Sequence, residues 1–183
     1  MGDITECVNG RCPDGWPRVY VEMRRLGTTV LQSERSNSLR DGLTAIVNEA
    51  WIRLQAHPPP TGWDSRAHYF GSACRAMRQA LVDDARRNMA AKRKKSAESS
   101  VKAEDSPDER EHRRREASFQ RVLDVDAAIE HLASTDPRRA AVAEMKLFGN
   151  LPNDLIAERT GTTRRTVERD WEVASAWLRE RLG

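Results

Sequence analysis

Charged side chains between residues 164 and 169 have types and a spacing that suit contacts with the edges of DNA bases. Arg164 and Arg165 are adjacent, and Glu168 and Arg169 follow four residues later, so a helix would place all four on one side. A guanidinium can donate two hydrogen bonds to guanine, and a carboxylate can accept one from cytosine. Cations in the first turn of a helix oppose its dipole by roughly 0.3–1 kcal/mol, a cost that an anionic partner would offset. The pattern therefore predicts DNA contact.

The stretch from Leu151 to Val167 (LPNDLIAERTGTTRRTV) predicts a helix-turn-helix that would position these side chains. Leu155, Ile156 and Ala157 would bury the first helix, Gly161 would supply the turn, and Val167 would hold the second helix against the first. In a helix-turn-helix, the exposed N-terminal turns of the second helix could enter the major groove of DNA. The alternative interpretation is an ordinary helical hairpin inside a bundle. The predicted readout residues are Thr163, Arg164, Arg165, Thr166, Glu168 and Arg169.

A second concentration of charge lies in the middle of the chain. Overall the charges nearly balance, with Lys+Arg at 31 and Asp+Glu at 28 for a net charge of +3. Between Asp84 and Lys95, however, six basic residues face Asp84 alone, a local net charge of +5. Such blocks are either solvated faces or nucleic-acid contacts. At the end of a helix these cations would also complement the helix dipole.

Apolar residues recur at helical spacing in every structured segment, and no segment alternates convincingly with period two. The sequence therefore predicts an all-α fold of two small helical domains joined by a flexible linker. His57 and the prolines at 58–60 should end one helix, and Gly149 should end another. The predicted divisions are a flexible tail over 1–17, a first domain over 18–95, a linker over 96–118 and a second domain over 119–183.

The sequence offers little for catalysis or metal binding. Cys7, Cys12 and Cys74 are odd in number and loosely spaced, which favours neither a disulfide framework nor a zinc site and suits a reducing cytosol. Asp83 and Asp84 are adjacent, so a helix would point them in different directions. We therefore expect no enzyme activity, no metal and no cofactor. No apolar run approaches the ~20 residues of a membrane span, and no signal peptide is expected.

Several segments together resemble a known family. The helix-turn-helix resembles region 4 of bacterial RNA polymerase sigma factors, and the stretch from Thr44 to Leu54 (TAIVNEAWIRL) resembles their region 2.2. The stretches from Trp63 to Phe70 (WDSRAHYF) and from Leu81 to Arg87 (LVDDARR) resemble the promoter-melting and promoter-recognition part of region 2. These segments follow one another in the family's order, with a variable linker between the region 2-like and the region 4-like segments. The chain therefore resembles the extracytoplasmic-function-like (ECF-like) subgroup of sigma factors from about Arg18 to Leu182.

The resemblance implies roles for particular residues. Those implied to face the polymerase clamp are Asn48, Glu49 and Arg53. Those near the expected melting loop, where a ring could stack on an unpaired base, are Trp63, His68 and Tyr69, each also a plausible core residue. Those implied to hold promoter phosphates are Arg75, Arg78, Arg86 and Arg87.

The implied partners are core RNA polymerase and promoter DNA, in the cytoplasm and on the nucleoid. An anti-sigma protein or another regulator remains open as a further partner, and no membrane partner is expected. The alternative function is a helix-turn-helix regulator that binds duplex DNA without polymerase. Binding to core polymerase separates the two, because only the sigma-factor interpretation requires it.

Overall fold

The computed structural model describes residues 4–9, 19–25, 37–98 and 107–183, and within these ranges the chain forms helices and no strand. The all-α prediction is confirmed. The helices are α1 (Ile4–Val8), α2 (residues 19–25), α3 (Asn37–Ala56), α4 (Arg66–Glu98), α5 (Pro107–Thr135), α6 (Pro137–Gly149), α7 (Asn153–Thr160) and α8 (Arg164–Leu182). In the described part of the chain, no helix is long and apolar enough to cross a membrane.

Helices α3 and α4 pack along the apolar stripes that the sequence predicts. Pro58 follows the end of α3, because proline has no amide to continue the helix and disfavours helical backbone before it. The buried stripe residues are Ile46, Val47, Ala50 and Leu54 on α3, and Phe70, Cys74, Met77, Leu81 and Ala85 on α4. Residues 18 and 26–32 of the predicted first helix lie outside the described residues, as do the side chains of Leu39, Leu43 and the basic block beyond residue 91.

Within the predicted flexible tail over 1–17, residues 4–8 form α1 and Asn9 lies in a turn, and the rest of that range lies outside the described residues. Cys7 and Val8 on α1 are buried. The Asn9 side-chain amide donates to the Trp63 carbonyl at 2.9 Å, and its oxygen accepts from the Trp63 amide at 2.8 Å. This reciprocal pair fixes the segment against the start of α4, a tertiary contact that local composition does not reveal.

Part of the predicted linker is also helical. Helix α5 begins at Pro107, whereas the sequence predicted a start near Phe119. The segment is poor in apolar residues, but it places Glu109 four residues before Arg113, a spacing that stabilises a helix through its charges. Ser118, the last residue assigned to the linker, is buried. The predicted linker thus contains the first three turns of α5.

The ends of α6 follow local capping rules. Asp136 accepts a hydrogen bond from the Arg139 amide at 3.0 Å, and Pro137 occupies the first turn, as the sequence predicts. The C-terminal end differs from the prediction, since the left-handed residue is Asn150 (φ 43°) and Gly149 is the last helical residue. Gly149 instead lies directly against the Cys74 thiol of α4, where a Cβ would not fit.

Helix α4 contacts helices from both predicted domains. One side packs on α3, and another packs on α5, α6 and α7, so a single cluster of buried residues joins Met77 of α4 with Ile129, Phe148 and Ile156. This places the helix-turn-helix against the long helix of the first part. The division into two domains at 96–118 stays a prediction, because such packing does not say whether either part folds alone.

Candidate nucleic-acid interface

Helices α7 and α8 form the helix-turn-helix that the sequence predicts. Gly161 adopts the left-handed conformation (φ 63°) between them, and the Thr163 hydroxyl accepts from the Thr166 amide at 3.2 Å to cap α8. Ile156, Ala157 and Val167 are buried between the two helices, whereas Leu155 is only half-buried. Pro152 precedes α7 without a side-chain cap.

The first turns of α8 expose the charged side chains, but they do not leave all of them equally available. Arg164 donates to Glu168 at 2.9 Å and lies 3.7 Å from Asp154. The hydrogen bond from Arg164 and a second one from Asn153 lower the pKa of Glu168. Arg165 and Arg169 are exposed and form no salt bridge within the described residues. In the first turns of α8, these two arginines are therefore exposed donors with no carboxylate partner in the described part of the chain.

Asp170 anchors α8 and was not predicted as a site residue. Its side chain is only 3% exposed and accepts from Arg138 Nε at 2.7 Å, and Arg139 Nε lies 3.4 Å away. Both arginines belong to α6, so the ion pairs set the position of α8 on α6. The sequence signal that could have identified Asp170 was its position three residues after the buried Val167, inside the apolar stripe of α8.

The residues predicted to face the polymerase lie on one helix, α3. Asn48 is exposed and accepts from the Tyr20 hydroxyl of α2 at 2.5 Å. Glu49 and Arg53 form an ion pair at 3.0 Å, and Arg53 also reaches Asp83 of α4 at 2.9 Å. The structure therefore places the three on one helix, with Asn48 bonded to α2 and with Arg53 partly occupied by its own carboxylate partners.

Two exposed apolar side chains on α2 and α3 were not predicted. Ile52 on α3 is 59% exposed, and Val21 on α2 is 64% exposed. Ile52 lies one helical turn after Asn48 and therefore on the same side of α3. The sequence signal for Ile52 was an isoleucine that falls outside the buried stripe of its helix.

The four arginines predicted to hold phosphates lie in different environments on α4. Arg75, Arg86 and Arg87 are exposed. Arg78 is not, because its guanidinium is enclosed by carboxylates of α5 and α6. Carboxylates occupy Arg78 in this arrangement, so of the four arginines predicted to hold promoter phosphates only Arg75, Arg86 and Arg87 are exposed.

The aromatic residues predicted near the melting loop are mostly in the core. Trp63 and Tyr69 are buried with ring centroids 5.0 Å apart, and Phe70 packs at 5.4 Å from Tyr69. Edge-to-face packing of this kind uses the ring surface that a base would need. His68 is half-buried, with Nδ1 3.0 Å from Asp64. Of the three predicted stacking residues, only His68 has accessible surface in this arrangement.

The cysteines and acidic residues considered for metal binding have other surroundings. Cys7 and Cys74 are buried thiols, and burial raises the pKa of Cys74, with a smaller contribution from Glu144. Asp83 pairs with Arg53, and Asp84 lies 3.4 Å from Arg87. No group of three potential metal ligands occurs among the described residues. Cys12 lies outside them.

Comparison with known proteins agrees with this architecture. The family model described as ECF sigma factor matches residues 12–183. No curated protein and no solved structure matches the chain. The family match includes α3 and α4 as well as the helix-turn-helix, so it does not depend on one common DNA-binding motif. The chain therefore belongs to the ECF sigma factor family, whose members are transcription factors that act in initiation and not enzymes.

Proposed function

We propose that the chain binds core RNA polymerase through α2 and α3 and directs it to promoters that α8 recognises. The observation that carries the proposal is the family match over residues 12–183, joined to a helix-turn-helix whose first turns expose Arg165 and Arg169. We expect this activity to require no cofactor bound to the chain. It would take place in the cytoplasm, on the nucleoid, with core polymerase and promoter DNA as partners.

The polymerase-binding part of the proposal is supported by the exposed face of α2 and α3. Ile52 presents apolar surface one helical turn after Asn48, and Val21 is exposed on α2, whose Tyr20 hydroxyl donates to Asn48. Interfaces commonly place a few buried apolar anchors inside a polar rim. We propose that Ile52 is such an anchor and that Asn48, Glu49 and Arg53 supply the rim.

Binding to purified core polymerase, measured without DNA, tests this surface. Ile52→Asp should weaken binding at least tenfold, because a carboxylate would be desolvated in the contact. Val173→Asp is the matched control, since Val173 is an exposed apolar residue of α8 and receives the same change. Equal affinity for both variants and the unmodified chain would remove α3 from the polymerase surface.

The recognition part is tested by run-off transcription with core polymerase on the factor's own promoter. If Arg165 contacts a base edge, Arg165→Ala should cost about 1–3 kcal/mol of binding and relax preference at one position. If it contacts only phosphate, binding should weaken evenly across sequences and the salt slope should fall by about one. Full promoter-dependent transcription by the combined Arg164→Ala, Arg165→Ala and Arg169→Ala variant would show that α8 does not read the promoter.

The exposed arginines of α4 supply a second DNA surface in this proposal. Arg75, Arg86 and Arg87 project from the helix that the family resemblance assigns to the promoter, and phosphate contacts there would set orientation without reading sequence. Neutralising Arg86 and Arg87 should lower affinity for all promoters alike. The competing function is a regulator that binds duplex DNA alone. A chain that fails to bind core polymerase but shifts promoter DNA by itself would favour that function.

A further inference from the structure

Residues 4–9 lie outside the part of the chain that matches the family, which begins at residue 12. They are nevertheless packed into the fold, because Cys7 and Val8 are buried and α1 lies against α4. We call residues 4–9 the strap. The proposed function assigns no role to it.

The strap is attached to the connection between α3 and α4 through one side chain. Asn9 Nδ2 donates to the Trp63 carbonyl at 2.9 Å, and the Trp63 amide donates to Asn9 Oδ1 at 2.8 Å. Both polar groups of the Trp63 backbone are therefore bonded to a residue 54 positions earlier in the chain. A side-chain amide can accept and donate in this way, whereas an ionised carboxylate cannot donate to a carbonyl.

Gly62 makes room for this contact. Its backbone is left-handed (φ 79°), and a Cβ at this position would lie 2.8 Å from Asn9 Oδ1. The Gly62 amide donates to the Pro59 carbonyl at 2.9 Å, which closes a turn directly before Trp63. A side chain at residue 62 would therefore both strain the turn and displace the Asn9 amide. The turn after α3 and the strap fit each other.

Trp63 connects the strap to His68. The buried Trp63 ring packs edge-to-face against the His68 imidazole, with the ring centroids 5.2 Å apart. The His68 amide donates to Ser65 Oγ at 3.2 Å, and its Nδ1 lies 3.0 Å from an Asp64 oxygen. Edge-to-face contacts depend on orientation, so a shift of the Trp63 backbone would also shift the imidazole. His68 is the residue near the predicted melting loop that keeps accessible side-chain surface.

We propose that Asn9 is a positioning residue for promoter opening, which holds the Trp63 backbone and thereby orients His68 toward the separated DNA strand. The inference rests on the proposed function, since it assumes that the chain opens promoters with core polymerase and that His68 meets the DNA there. Asn9 itself does not touch DNA. A connection that is already held in place loses less conformational freedom when it binds, so the strap favours the open complex.

Run-off transcription from two forms of the factor's own promoter tests this role at saturating holoenzyme. One form is fully duplex, and the other contains a mismatched bubble over the region that polymerase opens. Asn9→Ala should lower transcription from the duplex by about tenfold, the scale of two lost hydrogen bonds. The same variant should transcribe the bubble template as well as the unmodified chain, because the strands are already separated.

Glu6→Ala is the matched control, since Glu6 lies on the exposed side of the strap and should affect neither template. Equal losses by Asn9→Ala on the two templates would mean that Asn9 only stabilises the fold, and would overturn the inference. Undiminished transcription from the duplex would overturn it as well. An unmodified chain that transcribes neither template with core polymerase would instead overturn the proposed function, on which the inference rests.

A double variant tests whether Asn9 acts through His68. His68→Ala should also lower transcription from the duplex, and adding Asn9→Ala should cost little more, because both changes affect one contact. A further tenfold loss in the double variant would overturn the route through His68.

Hydrogen exchange of the free chain, followed by NMR, measures the attachment without polymerase or DNA. The Trp63 amide should exchange slowly in the unmodified chain and in Glu6→Ala, and faster in Asn9→Ala, which removes its acceptor. Equal exchange at Trp63 in all three proteins would show that Asn9 does not hold this backbone and would overturn the inference.

Discussion

Tyr69 provides a direct test of whether the aromatic residues before α4 act in the core or on DNA. The ring is fully buried, packs edge-to-face against Trp63 and Phe70, and donates its hydroxyl to the Met23 sulfur at 3.2 Å. Truncating a buried aromatic side chain to alanine costs about 3–5 kcal/mol. Small domains are stable by about 5–15 kcal/mol, so Tyr69→Ala should remove a large fraction of the free energy of unfolding.

Tyr69→Phe separates the ring from the hydroxyl. It keeps the aromatic packing and removes one hydrogen bond to a weak acceptor, so the loss should not exceed about 0.5–1.5 kcal/mol. Urea unfolding followed by far-ultraviolet circular dichroism measures both variants, and permanganate footprinting of the promoter complex measures strand opening. Tyr69→Ala that stays within about 0.5 kcal/mol of the unmodified chain but fails to open the promoter would refute the core assignment and restore base stacking.

Three further changes probe burial, capping and close packing by urea unfolding. Because burial raises the pKa of the Cys74 thiol and of the Tyr69 phenol, the folded chain holds these protons above the pH at which the unfolded chain releases them. Stability should therefore fall as pH rises from about 8.5, by up to about 1.4 kcal/mol per pH unit for each group, and Cys74→Ala should flatten the first part of that fall. Thr163→Ala should cost about 1 kcal/mol by removing the cap of α8, whereas Thr163→Ser keeps the hydroxyl and should cost little; equal losses would argue against the cap. Gly149→Ala should cost about 1–3 kcal/mol by forcing a methyl group against Cys74, and Cys74→Ala should relieve most of that cost in the double variant.

The helices and their ends were predictable from the sequence because the signals are local. The spacing of Val167, Ala174 and Leu178 identifies the buried stripe of α8, and Thr163 and Gly161 mark the cap and the turn before it. Hydrogen bonds between residues three or four apart determine these features, so neighbouring residues are sufficient to predict them. The boundary at residue 107 was missed although its signal is also local, because charge pairing on α5 supports a helix without the apolar stripe on which the prediction relied.

The environments of single charged and aromatic residues were not predictable in this way. Arg78 and Arg75 are both arginines of one helix, three residues apart, yet Arg78 is enclosed by carboxylates and Arg75 is exposed. Arg78 lies four residues after Cys74 and three before Leu81, inside the apolar stripe of α4, so its burial has a local signal but its partners do not. The partners of Arg78 come from α5 and α6, and Asp170 likewise depends on arginines of α6.

The sequence by itself therefore determined the all-α fold, the helix-turn-helix and the family. These depend on the period of apolar residues, on caps and on the order of motifs along the chain. Only the tertiary structure decided which predicted DNA contacts are accessible. Whether a guanidinium faces solvent or a carboxylate depends on which helices meet, and that is set by the packing of side chains far apart in the chain.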